Sequence, residues 1–201
     1  MKKIIPTILT DDFLDLETKL KQLKGLTDWI QIDIADGKFV NNVSIRLEDL
    51  SKTKLAAGFN LEAHLMVLAP EKYFSACQKA NVKRVVFHLE AAKKLNDILD
   101  KAKKFDFLIG IALNPQTPIA KIKPYLKQID LVLLLAVQPG FQGQKFLPSV
   151  LAKIKNLRKI APETKIEIDG GVNPGNIKKI AEAGADYIVV GSYLFRNKKV
   201  K

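Results

Sequence analysis

Eight short runs rich in Ile, Val, Leu and Phe recur along this chain, separated by amphipathic or turn-rich segments: IIPTIL near Ile4, WIQIDI from Trp29, FNLEAHLMV from Phe59, RVVFHLE from Arg84, FLIGIALN from Phe107, LVLLLAV from Leu131, KIEIDGG from Lys165 and YIVVGS from Tyr187. Each run has the length of a buried strand. Between them apolar residues fall at helical spacing, as in Phe13, Leu16, Leu20 and Leu23, or Leu95, Ile98, Leu99 and Ala102, with lysines on the other face. Strand then helix, repeated eight times, predicts an α/β fold with a parallel sheet closed as a (β/α)8 TIM barrel. An open doubly wound sheet of this length would more often have about five or six strands. No linker divides the chain, so a single domain over residues 1–201 is expected.

After YIVVGSYLF only RNKKVK remains, so the final outer helix is expected to be short or missing. The outward apolar side chains of strand eight, expected among Tyr187, Val189 and their neighbours, would then be partly exposed. A partner subunit in a homodimer, or a tilted first helix, would cover them.

The composition, 47% hydrophobic and 27% charged, is that of a folded soluble globule. Cys77 is the only cysteine, so no internal disulfide can form, and with two histidines there is no Cys/His zinc cluster. A carboxylate-rich metal site remains open. The N-terminal apolar stretch is broken by Pro6 and followed by Asp11 and Asp12, and no apolar run reaches about 18–20 residues. A cytoplasmic protein without a membrane partner is therefore expected. The net charge is +12, but only four of the 33 basic residues are arginines and the lysines are scattered. That pattern is a solvated lysine-rich surface that attracts small anions, and nucleic acid is not an expected partner.

The turn-rich stretches VQPGFQGQKFLP and DGGVNPGN follow predicted strands, at the barrel face where active-site loops lie. Asp33 in QIDIADG and Asp169 in KIEIDGG sit among alternating apolar neighbours, so both carboxylates should point into the mouth from roughly opposite sides. Such a pair suits a reaction that removes a proton from one face of a carbon and returns one to the other, although strand-end Asp residues also cap loops. His64 in LEAHLMV shares the alternation and could join them on a metal or be a satisfied core histidine. His88 reads as a packed or hydrogen-bonded residue ending strand four, with Glu90 as its polar neighbour. The segments PGFQGQ, DGGVNPGN and VVGS place Gly140, Gly143, Gln144, Gly170, Gly171, Gly191 and Ser192 where backbone N–H groups can cradle a phosphate; each alone could be a tight turn.

Eight strings, PTILTDDF, QIDIADGKFV, AHLMV with Pro70 and Glu71, VFHLEA, ALNPQTP, VQPGFQGQKF, IEIDGGVNPGNI and AGADYIVVGS, together resemble the ribulose-phosphate 3-epimerase family from about Ile4 to Phe195. The resemblance implies epimerisation at C3 of a pentulose 5-phosphate through a cis-enediolate. It implies Asp33 and Asp169 as the two acid/base residues, Thr7 and His64 at the substrate, and a divalent metal (zinc, iron, manganese or cobalt) on Asp33, His64 and Asp169 that acts as a Lewis acid. The family's histidine two residues before the first Asp is Gln31 here, its Met in the same motif is Ala35, a second Met near the PGF loop is replaced by Leu135 or a neighbour, and the Ser of its PSIL string is Thr7. A glutamine oxygen can coordinate a hard cation but donates less to zinc or iron than imidazole does. A 6-phosphohexulose 3-epimerase and a phosphate-binding paralogue with impaired metal binding are the alternatives.

Overall fold

The computed structural model describes residues 2–196. Eight parallel strands form a closed barrel in sequence order: β1 (Lys3–Ile8), β2 (Trp29–Ala35), β3 (Asn60–Met66), β4 (Val82–His88), β5 (Leu108–Leu113), β6 (Leu131–Leu135), β7 (Lys165–Asp169) and β8 (Tyr187–Val190). The ring closes where Ile4 of β1 pairs with Ile188 of β8. Every strand coincides with one of the eight apolar runs.

The helices are α1 (Phe13–Leu23), α2 (Leu47–Leu50), α3 (Phe74–Lys79), α4 (Leu95–Ala102), α5 (Ser149–Ile160), α6 (Ile177–Ala183) and α7 (Ser192–Arg196). The Asp12 side chain caps α1 by accepting from the Leu14 N–H at 2.8 Å. Leu16, Leu20 and Leu23 of α1 are buried, as are Leu95, Ile98, Leu99 and Ala102 of α4. The regular strand–helix alternation fails once: between β5 and β6 the described chain makes two 3-10 turns, Ile119–Lys121 and Lys123–Tyr125, in place of an α-helix. Pro115, Pro118 and Pro124 in this stretch each lack an N–H and clash with the preceding turn of a helix.

The strands are buried on both faces. Ile30, Ile32 and Ile34 of β2 belong with Leu16 of α1 and with Ile154 and Leu157 of α5 to the core between strands and helices that runs around the barrel, whereas Val86, Ala112, Leu133 and Leu135 form a separate cluster inside the ring. Strand eight departs from expectation. Tyr187 packs against the inner cluster and Val189 lines the mouth, while Ile188 and Val190 point outward and are only 2% and 5% exposed. Leu194 and Phe195 of the short α7 pack on the outer core, and Lys19 of α1 lies over the Phe195 ring at 5.3 Å. Helix α6 packs on strand eight, whose outward Ile188 and Val190 are buried, so among the described residues that strand does not show the exposed apolar face that suggested a partner subunit. The rest of the RNKKVK tail lies outside the described residues.

At the N-terminal end of the barrel, Arg84 of β4 is buried between the rings of Trp29 (4.8 Å) and Tyr187 (4.7 Å). Its guanidinium donates to Glu62 and, at 2.7 Å, to Glu167. Both carboxylates are wholly buried. This ionic cluster is the floor beneath the site.

Candidate active site

The C-terminal mouth holds a small, partly open cleft. Thr7, Asp33, His64, Gly140, Gly143, Gln144, Asp169, Gly170, Gly171, Gly191 and Ser192 all line it. Strand register brings the polar groups together: Asp33 pairs with His64 across β2 and β3, Thr7 pairs with Gln31 across β1 and β2, and β7 carries Asp169 at its C-terminal end.

Gln31 lies below the cleft, fully buried. Its Nε2 donates to Asp33 Oδ1 at 2.7 Å, to Asp169 Oδ2 at 2.9 Å and towards Thr7 Oγ1 at 3.1 Å. His64 Nδ1 stands 3.2 Å from Asp33 Oδ1 and 3.7 Å from Asp169 Oδ2. Burial, followed by the charge of Asp33, pushes the Asp169 carboxyl up to about 6. Burial opposes a charged His64 ring, yet the adjacent Asp33 and the further carboxylates Asp169 and Glu62 outweigh it and raise the imidazole's pKa.

One ligand atom each from Asp33, His64 and Asp169 lies within 4.8 Å of the others, which is the clustering a cation needs. The fourth donor is supplied by an orphan: Gln31 Oε1 is buried without a hydrogen-bond partner. Amide oxygen and nitrogen exchange places on a half-turn, so Gln31 can present this oxygen where its nitrogen now bridges the carboxylates. Two carboxylates, an imidazole and an amide oxygen fit a divalent cation.

The glycine loops have an internal reason for their composition. Gly171 has φ +64°, and a Cβ there would lie 2.5 Å from the Phe146 amide nitrogen. At Gly191 a Cβ would come within 2.9 Å of Thr7 Cγ2. The loops pack closely on their own chain. Gln144 likewise turns back, its amide donating to the carbonyls of Gln138 and Phe141 at 2.6 and 2.9 Å.

His88 was expected only to pack or hydrogen-bond at a strand end. It is fully buried and its Nε2 meets His64 Nε2 at 2.9 Å. His64 pairs with Val86, and His88, two residues further along β4, projects to the same face of the sheet.

The whole described barrel, residues 3–195, matches the ribulose-phosphate 3-epimerase family. The chain belongs to the ribulose-phosphate 3-epimerase family. It is 37% identical over 199 residues to a ribulose-phosphate 3-epimerase of Schizosaccharomyces pombe (strain 972 / ATCC 24843), covering 96% of this chain and 86% of the relative. With the ribulose-phosphate 3-epimerase of Bacillus subtilis (strain 168) it shares 38% over 201 residues, 97% of this chain and 93% of that one. The chain is thus an isomerase of this epimerase family. A mutant tryptophan synthase alpha-subunit from Pyrococcus furiosus superimposes with a TM-score of 0.73 at 14% identity, covering 96% of this chain and 88% of that one, which shows the shared barrel. No helix among the described residues is long and apolar enough to cross a membrane. Gln31 lies beneath the two carboxylates, and Leu135 and Met66 are on the cleft wall.

Proposed function

We propose that this chain interconverts ribulose 5-phosphate and xylulose 5-phosphate by proton transfer at C3 through a cis-enediolate. The observation that carries the reading is the pair of carboxylates, Asp33 and Asp169, tied through Gln31 at the bottom of one cleft in a barrel of this family.

Asp33 and Asp169 enter the cleft from different strands, so a sugar lying between them presents opposite faces of C3 to the two groups. One carboxylate takes the C3 proton and leaves its electron pair in the C2–C3 enediolate; the other returns a proton to the opposite face, inverting C3. Asp169, with its pKa pushed up to about 6, holds or releases a proton near neutral pH. Asp33, His64, Asp169 and the Gln31 oxygen would hold a divalent cation, which supplies positive charge against the developing enediolate oxygens. The loops at Gly140–Gln144, Gly170–Gly171 and Gly191–Ser192 bind the 5-phosphate through backbone N–H groups, and Thr7 keeps a hydroxyl at the base of the cleft. Leu135, Val137 and Met66 give the cleft an apolar wall that limits water at the reacting carbon.

A coupled assay with ribulose 5-phosphate and added zinc, iron, manganese or cobalt tests this reading. Turnover with at least one metal is expected, and none with any of the four overturns it. A 6-phosphohexulose substrate tried in parallel separates the hexulose alternative.

One observation favours a second reading, a phosphate-binding paralogue without catalytic metal: the Gln31 NH₂ already bridges both carboxylates, as a cation would. Metal analysis with a sugar-phosphate binding titration distinguishes the two, because the paralogue binds ligand with no metal and no turnover.

A further inference from the structure

We propose that His88 and Glu90 are positioning residues that keep the proton of His64 on Nε2, so that His64 offers Nδ1 to a cation held with Asp33 and Asp169. The inference rests on the metal-assisted reading and deepens it.

Two imidazole nitrogens that meet at hydrogen-bond distance cannot both be bare, and if both carry protons they repel. His64 Nε2 and His88 Nε2 meet at 2.9 Å, so one donates and the other accepts. The direction is set on the far side of His88. Its Nδ1 is buried and faces Glu90 Oε2 at 3.5 Å, the outer edge of hydrogen-bond distance, with the buried and otherwise unpaired Asn114 Oδ1 as a second acceptor at this ring. Both neighbours offer lone pairs, so the proton of a neutral His88 belongs on Nδ1. The ring is fully buried, which favours its neutral form. With Nδ1 protonated, His88 Nε2 is bare and accepts from His64 Nε2–H. His64 Nδ1 then donates to Asp33 at 3.2 Å while the site holds no metal, and would be bared as a ligand where a cation replaces that proton between it and the two carboxylates. The opposite polarity would set a lone pair of His88 against the Glu90 carboxylate.

Glu90 is held for this task. It accepts from the Asn114 N–H at 2.9 Å and from the Thr117 hydroxyl, both beyond the end of β5. Burial alone would raise its pKa, but the bonds from His88, Thr117 and Asn114 bring it down to about 2. Phe39 packs on His88 with ring centroids 4.7 Å apart, and the His64 and His88 rings lie within 24° of parallel, so neither imidazole has room to turn over. A ligand histidine oriented by a hydrogen bond on its second nitrogen is a general feature of metal sites; here the orienting group is a second histidine that passes on the polarity of a carboxylate.

Two measurements decide the matter. Long-range ¹H–¹⁵N spectra of the histidine-labelled wild-type chain, with and without Zn²⁺, should show neutral His88 with its proton on Nδ1. A His88 proton on Nε2 overturns the proposal whether or not metal binds. Co²⁺ titration of the metal-free chain followed by its visible absorption should show His88→Leu binding about 10–100-fold more weakly than wild type. His88→Gln, whose side-chain oxygen can still accept from His64, should recover most of that loss, which mere packing would not predict. Equal Co²⁺ affinity in wild type and His88→Leu, or no recovery by His88→Gln, also overturns the proposal. Absence of Co²⁺ binding by the wild type would instead count against the metal-assisted reading, and the tautomer spectrum would still judge His88.

Discussion

Gln31 and Asp169, 138 residues apart in the chain, are joined at the base of the cleft by a 2.9 Å hydrogen bond from the amide to the carboxylate. The same nitrogen holds Asp33 at 2.7 Å, so one neutral side chain sets the spacing of both carboxylates. Gln31→His places an imidazole at this junction and should tighten zinc binding relative to the wild type, measured by competition with a chromogenic chelator. Unchanged affinity would show that Gln31 does not face the bound metal.

Asp33→Asn and Asp169→Asn should each lower turnover by at least about 10²–10⁴-fold, the usual worth of general acid/base work. Sugar-phosphate binding through the glycine loops should survive in both. Near-wild-type rates in either variant would rule out a two-base inversion.

Glu90 has a depressed pKa in the folded state, about 2 against an ordinary 4.5. A carboxylate of that kind contributes stability above its unfolded pKa and loses it as pH falls towards the folded value. Glu90→Gln should therefore be less stable than wild type at pH 7, with the gap closing between about pH 4.5 and pH 2. Partial exposure of this side chain reduces the size of the effect. Denaturant midpoints across that pH range measure it, and a gap that widens on acidification would contradict the assignment.

Arg84 pairs with two buried carboxyls, of which Glu167 is pushed well above the usual carboxylate range by burial and by Glu62, and its removal leaves their shared negative charge uncompensated. Arg84→Met should cost about 3–5 kcal/mol of stability, the range seen when one member of a buried ion pair is lost. Urea unfolding of the variant gives the number, and a loss below about 1 kcal/mol would mean that the buried cluster does not depend on the guanidinium charge.

Cys77 is fully buried in α3 and burial pushes its thiol up to about 12. A thiol reagent should leave the native protein unmodified at pH 8 and label it only as it unfolds. Rapid labelling under native conditions would place α3 in a locally open state.

The barrel was legible because parallel strands advertise themselves as apolar runs, and the two Asp residues and the glycine loops because they break those runs at the same end. Strand eight misled for the same reason. With Tyr187, Ile188, Val189 and Val190 all apolar, alternation says that neighbours face opposite ways without saying which set faces in. The His64–His88 contact depends on the register between β3 and β4, which shifts between Leu61 and Glu62 because Lys83 is an extra residue on β4. No periodicity in either strand carries that shift. Gln31 was visible as a departure from the family motif, but its bridging of two carboxylates needed the closed ring.

The Arg84 cluster stoppers one end of the barrel with Trp29 and Tyr187 stacked on either side of the guanidinium. Among the described residues the mouth is therefore the way both in and out for Asp33 and Asp169, and a sugar phosphate, its epimer and any cation would share it. Two epimers that leave by the door they entered exclude each other at every turnover. Each sugar should then act as a strictly competitive inhibitor of the other, and net flux should follow their relative concentrations outside the mouth.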